Sequence, residues 1–276
     1  MTDILLSTYN SEKYLSRQLD SLIEQTERDW RVLWRDDGST DNTAEIYKSY
    51  AARDERFVVA ELGVNVGAMR GFEILLEMAE SDYIMFCDHD DVWLPDKIRN
   101  SLTAMQESEN RYAKDTPLLV FGDLKVVDED LNITDESYWH YAGIKPALTS
   151  DFATLAGANC VTGCTMMINH AAKRVSLPFG KHAMMHDHVI ALQVIANGGH
   201  LVKNDNIDIL YCQHGDNVIG ATRNRTGVEL AWFRLTHIPA IIRQNRAFML
   251  QARDIMPLGW VEYIMKKMEY KRRRDG

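Results

Sequence analysis

Tyr83-Ile84-Met85-Phe86-Cys87-Asp88-His89-Asp90-Asp91 decides the fold. Five apolar residues in succession read as a strand buried on both faces, and the run ends abruptly in three carboxylates within four residues. The chain before it repeats one rhythm. Ile4-Leu5-Leu6-Ser7 reads as a strand, and residues 14–24 carry a helical stripe at Leu15, Leu19, Leu22 and Ile23. Residues 30–34 read as the next strand, running into Arg35-Asp36-Asp37-Gly38-Ser39-Thr40-Asp41-Asn42, which is turn chemistry ahead of a helix starting at Asp41 or Thr43. Residues 44–52 continue as helix, 57–62 as strand and 68–79 as helix. Strands alternating with helices predict an α/β fold with a mainly parallel sheet flanked by helices on both faces, whose ligands collect at the strand C-terminal ends. Both acid clusters, Asp36-Asp37 and residues 88–91, fall at such ends.

The composition is that of an ordinary globular chain: 276 residues, 46% hydrophobic and 26% charged, enough for one large domain with a small appendage. No apolar run approaches the roughly 20 residues of a membrane span, and no secretory leader is read at the start. Cys87, Cys160, Cys164 and Cys212 are too few for a disulfide scaffold, and the Cys160/Cys164 pair lacks the second pair that a structural zinc site requires. The expectation is a cytoplasmic protein with reduced thiols. The net charge of −9 divides unevenly: residues 228–276 hold 10 Lys and Arg against 5 Asp and Glu, leaving −14 on residues 1–227. A body this acidic is a poor surface for nucleic acid, but suits divalent cations.

Two phosphate-binding motifs are absent: Gly-x-Gly-x-x-Gly after the first strand, and Gly-x-x-x-x-Gly-Lys-Ser/Thr anywhere. The first strand instead meets Ser7-Thr8-Tyr9-Asn10, with no glycine to cradle phosphates. A metal is then the economical neutraliser. Asp88, Asp90 and Asp91 repel one another unless a cation or hydrogen-bond donors compensate, and Mn²⁺ or Mg²⁺ takes one or two carboxylates and fills its shell with phosphate oxygens and water. The bland alternative is an acidic helix start capped by Asp90 or Asp91.

Taken in order, the motifs around Ser7-Thr8-Tyr9-Asn10, Gln18 to Leu22, Arg35 to Asp41 and the Asp-x-Asp segment Asp88-His89-Asp90-Asp91-Val92-Trp93 resemble the family 2 inverting glycosyltransferases. They are most similar to the rhamnosyltransferase-like branch of bacterial surface-polysaccharide biosynthesis, and the likeness continues through Asn159 to Cys164, His186-Asp187 and Gln213-His214-Gly215-Asp216-Asn217. The resemblance implies a nucleotide-diphospho-sugar transferase domain of GT-A type over residues 1–227. It implies that Thr8, Tyr9 and Asn10 contact base and ribose and that Asp37 accepts from a pyrimidine N3–H, as a carboxylate can. Asn65 and Arg70 belong to a further donor-site segment beside Gly67, which a plain turn explains equally well. Asp88 would meet the ribose, Asp90 would hold the metal on the diphosphate, and His214 would complete the metal shell, a ligand that favours Mn²⁺ over Mg²⁺. His89 reads as a spacer, the cysteines as packing, and Trp93, Trp139 and Trp232 as core. Asp187 would be the catalytic base, with a helix N-cap as its alternative.

Residues 228–276 lie outside this pattern. Apolar residues including Leu230, Phe233, Phe248, Met249, Trp260 and Ile264 predict amphipathic helices broken near Pro239 and Pro257, ending in a basic cluster at residues 266–274. Such an appendage fits either an anionic membrane surface, at the inner face of the cytoplasmic membrane, or a solvated chain end. The partners so implied are a UDP- or dTDP-sugar donor, with rhamnose suggested by the resemblance, and a saccharide acceptor that is lipid-linked if the basic segment meets a membrane. Two other functions compete: a nucleotidyltransferase making a nucleotide-sugar, which would want a basic, glycine-rich loop where residues 7–12 have none, and a non-catalytic nucleotide- or sugar-binding module.

Overall fold

Seven strands form the larger sheet. In chain order they are β1 (Thr2–Thr8), β2 (Trp30–Asp36), β3 (Phe57–Leu62), β4 (Tyr83–Cys87), β6 (Leu118–Gly122), β9 (Met167–Asn169) and β10 (His200–Asn204), in the spatial order β10-β6-β9-β4-β1-β2-β3. The computed structural model describes residues 1–149, 151–214 and 237–275. All neighbouring pairs run parallel except at β9, which is antiparallel to both β4 and β6. Helices α1 (Leu15–Ile23), α2 (Thr43–Ala51) and α3 (Ala68–Met78) connect the first four strands. The predicted elements are present, with α1, α2 and α3 each ending one residue short of the expected boundary.

Burial explains why these strands lack polar alternation. Ile4, Leu5 and Leu6 of β1 are all fully buried, and successive residues enter different cores. Leu5 packs with Phe72, Phe86, Leu119 and Val189, whereas Ile4 and Leu6 pack with Trp34, Tyr47, Met85 and Trp93. Side chains alternate across a strand, so a sheet covered on both faces demands apolar residues at every position.

The direction of chain winding reverses at β1. From β1 the chain adds β2 and β3 on one side, then returns to place β4 on the other. The crevice outside the C-terminal ends of β1 and β4 is therefore the topological switch point, where open α/β sheets bind ligands. Residues 8–10 and 88–91 both border it.

A second sheet lies beyond the reach of the sequence periodicity. Its strands β5 (Val92–Trp93), β7 (Lys125–Val127), β8 (Ile133–Asp135) and β11 (Ile209–Cys212) have two to four residues each, in the order β5-β11-β7-β8. The start of β5 corrects the alternative of a helix capped by Asp90 or Asp91: a short strand follows the acids, and the next helix, α4 (Lys97–Tyr112), begins six residues later. Antiparallel pairing of Ile209 with Trp93 and Leu210 with Val92 runs the end of β11 back alongside the acid cluster.

The rest of the body comprises α5 (Tyr138–Ala142), α6 (Phe152–Gly157), α7 (His170–Ser176) and α8 (His186–Ala196), and 3₁₀ turns at Pro146–Leu148 and Gly163–Thr165. The C-terminal segment forms α9 (Ile238–Ile255), with Pro239 in its first turn where no amide donor is needed, and α10 (Trp260–Asp275), with Pro257 in the break. Leu230, Phe233 and Trp232 lie outside the described residues. Both helices pack on the body through α6, and α9 also meets α8; Met249, Ala252, Leu258 and Tyr263 join the core that contains Leu5. No described helix is long and apolar enough to cross a membrane. The four cysteines are buried and free.

Candidate active site

The acids that terminate β4 part ways. Asp91 is fully buried; its Oδ1 accepts from the Cys212 amide at 3.3 Å, and Oδ2 has no hydrogen-bond partner among the described residues. Burial, with the charges of Asp90 and Asp88, pushes its carboxyl well above the ordinary range. Asp88 is pushed up to about 7, first by burial and then by the charges of Asp90 and Asp187. Asp88, Asp91 and Cys164 bring ligand-type atoms within 4.8 Å of one another. Burial raises the Cys164 thiol, and the two acids raise it further, so it stays protonated packing beneath the acids.

Asp90 turns the other way. Its Oδ2 lies 2.9 Å from Nε2 of His214, and both side chains are nearly buried. His214 follows β11 by two residues and Asp90 precedes β5 by two, so the antiparallel pairing of those strands is what joins residues 124 positions apart. Gly215, Asp216 and Asn217 lie outside the described residues. Asp90 and His214 fit a divalent cation, since one carboxylate and one imidazole converge where neighbouring acids already crowd negative charge. His89 lies between the acids, and burial depresses its imidazole.

The wall at the end of β1 is more self-contained than the motif suggests. The Thr8 hydroxyl accepts from Trp34 Nε1 at 2.9 Å and donates to Asp36 Oδ1 at 3.0 Å, so the fold itself uses it. Asn10 is also engaged: its amide donates to Ser39 Oγ and its Oδ1 accepts from the Thr40 amide, both at 2.9 Å. Tyr9, just past the end of β1, is 48% exposed. Ser39 and Asp41 are turn residues, bonding Asp36 and Thr43 respectively.

Asp37 is buried and holds the loop after β3. Arg35 donates to its Oδ1, the Val66 amide to Oδ1 at 2.8 Å and the Gly67 amide to Oδ2 at 2.8 Å. A carboxylate has roughly four acceptor positions, and these donors take three. Gly67 adopts φ +83° with open space around its Cα, so backbone conformation rather than crowding calls for glycine there. Asn65 is exposed, between Val64 and Val66. Arg70 lies in the first turn of α3 and pairs with Glu73 at 2.6 Å and Glu77 at 3.5 Å, farther along its own helix.

Asp187 sits in the first turn of α8, not ahead of it, and Met185 is the N-cap residue; this corrects the N-cap alternative. Its Oδ1 accepts from the His188 amide at 2.6 Å and its Oδ2 from Asn159 Nδ2 at 3.2 Å. Burial pushes the carboxyl up to about 6 despite these donors. Asn159 is itself fixed by two bonds to the backbone of Val161, so it orients Asp187 from a rigid turn. His186 is buried against Phe72 and Phe86 and depressed by burial to about 3, so it stays neutral. A Cβ at Gly163 would lie 2.5 Å from its Nε2, which explains the glycine.

Sequence reading passed over three contributors. Tyr14 stacks on His214. Lys97 is buried, lowered to about 8 by that burial, and donates to the Thr165 carbonyl at 2.9 Å, holding the turn that carries Cys164. Asp123, an acid just beyond β6, accepts from Ser137 and from the Trp139 amide, so its role is structural. Tyr14 is visible in the sequence only as the first residue of the helical segment 14–24.

Comparisons with known proteins bear on the whole. The chain is 34% identical over 107 residues to the putative teichuronic acid biosynthesis glycosyltransferase TuaG of Bacillus subtilis, covering 39% of this chain and 42% of the relative. It is 35% identical over 105 residues to the dTDP-rhamnosyl transferase RfbG of Shigella flexneri, covering 36% of each. An Escherichia coli UDP-Glc:alpha-D-GlcNAc-diphosphoundecaprenol beta-1,3-glucosyltransferase is 30% identical over 105 residues, covering 38% of this chain and 41% of the relative. The matched segment thus spans about two fifths of these relatives' length. Among solved structures, S. aureus TarS 1-349 with UDP-GlcNAc superposes with a TM-score of 0.62 at 18% identity, over 99% of this chain and 72% of that one. A mannosyltransferase from Pyrobaculum calidifontis with GDP-Man and Mn²⁺ gives 0.55 at 16% identity, over 99% and 74%. These likenesses bear out the GT-A-type fold expected from the sequence. The profile of Glycosyl transferase family 2 matches residues 3–175, more than half of the sequence, and the chain belongs to that family.

Proposed function

We propose that this chain transfers a sugar, with inversion, from a UDP- or dTDP-sugar to a growing surface-polysaccharide acceptor. The observation that carries the reading is the convergence of Asp90 and His214 at the switch point, with the raised carboxyl of Asp187 electrostatically felt at Asp88. Rhamnose is the donor sugar we favour, because a dTDP-rhamnosyl transferase is among the relatives. A lipid-linked acceptor is favoured by the relative whose name specifies a diphosphoundecaprenol substrate.

Asp90 and His214 would hold Mn²⁺ or Mg²⁺. The cation would neutralise the donor diphosphate, in a site whose own acids otherwise repel it. Tyr9 would stack on the base, and the last acceptor position of Asp37 would take the pyrimidine N3–H. Transfer itself is a single displacement. The acceptor oxygen bonds to the anomeric carbon, the bond from that carbon to the diphosphate oxygen breaks, and the hydroxyl proton passes to Asp187. A carboxyl near 6 is largely ionised at neutral pH, yet basic enough to accept that proton. Asn159 and the His188 amide keep it aimed.

The C-terminal helix would bring the enzyme to its acceptor. Val261, Ile264, Met265 and Met268 are exposed along one side of α10, opposite the buried Tyr263 and Tyr270, and the last turns carry Lys271, Arg272, Arg273 and Arg274. An apolar stripe next to a cationic cluster suits an anionic bilayer.

Three outcomes test the reading. Calorimetric titration with UDP and dTDP should give binding that Mn²⁺ strengthens and EDTA weakens, and Asp90→Asn should abolish the metal-dependent part with the fold intact. Equal affinity in EDTA would contradict the metal assignment. With donor and acceptor in hand, Asp187→Asn should keep nucleotide affinity but lose transfer by about 10²–10⁴-fold. In the unmutated enzyme, protonating Asp187 removes the base, so kcat should fall as pH drops through about 6 and level off above it; an active variant, or a flat profile between pH 5 and 8, would overturn the base. Finally, the protein should float with vesicles containing phosphatidylglycerol and not with phosphatidylcholine alone. Changing Lys271, Arg272 and Arg273 to Gln should release it, and flotation indifferent to both changes would contradict membrane recruitment.

A further inference from the structure

We infer that Tyr14 is the residue that positions His214 for the cation. The inference rests on the reading of His214 as a metal ligand and adds a residue to it. Tyr14 stands just before α1, where the Ser11 carbonyl accepts from its amide at 3.1 Å. Its ring is 7% exposed and lies against the His214 imidazole, with centroids 4.1 Å apart and planes 22° from parallel.

That contact meets a specific need. His214 belongs to a segment beyond β11, and the torsion about a histidine's Cβ–ring bond has a broad, shallow profile. The imidazole plane must therefore be set from outside if Nε2 is to stay on Asp90. A flat aromatic face does this, because sliding along the stack is easy but tilting out of it loses the contact. Arg17 of α1 holds the end of β11 as well, donating to Cys212 Sγ at 3.1 Å, and its other terminal nitrogen donates to the Glu129 carbonyl between β7 and β8 at 3.1 Å. Tyr14 meets the site through this stack on His214, so it is a positioning residue.

The test is Mn²⁺ affinity in the presence of UDP, read from the loss of the free Mn²⁺ signal in electron paramagnetic resonance. The proteins are the unmutated chain, Tyr14→Phe, Tyr14→Leu, His214→Ala and the Tyr14→Leu/His214→Ala double variant, each checked for an unchanged melting temperature. Tyr14→Phe keeps the stack and should bind within about twofold of the unmutated chain. Tyr14→Leu keeps an apolar side chain but loses the flat face. It should weaken Mn²⁺ about tenfold or more, the range seen when a ligand's outer partner is removed. In the His214→Ala background Tyr14→Leu should cost nothing further, because the residue it positions is gone. Should Tyr14→Leu bind Mn²⁺ normally while His214→Ala does not, the positioning role falls and the ligand assignment stands. A loss of equal size in both backgrounds would also overturn it, since Tyr14 would then act on the fold at large. If His214→Ala itself binds normally, the ligand reading fails and the positioning role with it.

Discussion

Three carboxylates packed at the end of one buried strand set the terms for this molecule. Asp88, Asp90 and Asp91 cannot all ionise unaided, because burial and mutual repulsion both oppose it, and two of them respond by holding protons more tightly. The third finds His214. The surrounding architecture makes that pairing possible: β4 delivers the acids to the switch point, and the short sheet formed by β5 and β11 folds the later segment back onto them. A site of this kind is costly for an isolated fold and becomes favourable when a cation enters, which is why we read it as functional.

The nucleotide wall follows a different logic. Asp36 and Asp37 are as clustered in sequence as the later acids, but here the chain supplies the compensation. Asp36 accepts from Thr8 and Ser39, and Asp37 from Arg35 and two loop amides. These bonds make a rigid turn with exposed Tyr9, Val64 and Val66 at its edge. The acid pair builds a rigid turn and the later cluster of three is left short of positive charge, so identical residue types take opposite roles.

This difference marks what could be read in the chain. Strands β1 to β4 and their helices were legible because each is long enough for its apolar pattern to show, and because apolar residues at every strand position imply a sheet covered twice. The acids at 88–91 were legible as candidates because they end a strongly patterned strand, whereas Asp187 was singled out through the family resemblance. The second sheet was not legible. Strands of two to four residues carry no period, and the pairing of β5 with β11 spans more than a hundred residues. Consumption of the Thr8 hydroxyl by Trp34 and Asp36 was hidden too, since a hydroxyl's partners are set by tertiary contacts. The capping alternative for Asp187 failed by two residues of helix boundary, a distance within which helix ends are poorly defined by sequence.

The account turns on where the cation sits. Crystals grown with UDP and Mn²⁺, with diffraction recorded at the manganese absorption edge, would locate it directly. The account predicts one anomalous peak bonded to an Asp90 carboxylate oxygen and to His214 Nε2, at roughly 2.0–2.3 Å from each. A peak among Asp88, Asp91 and Cys164 instead, or none while UDP is bound, would contradict it.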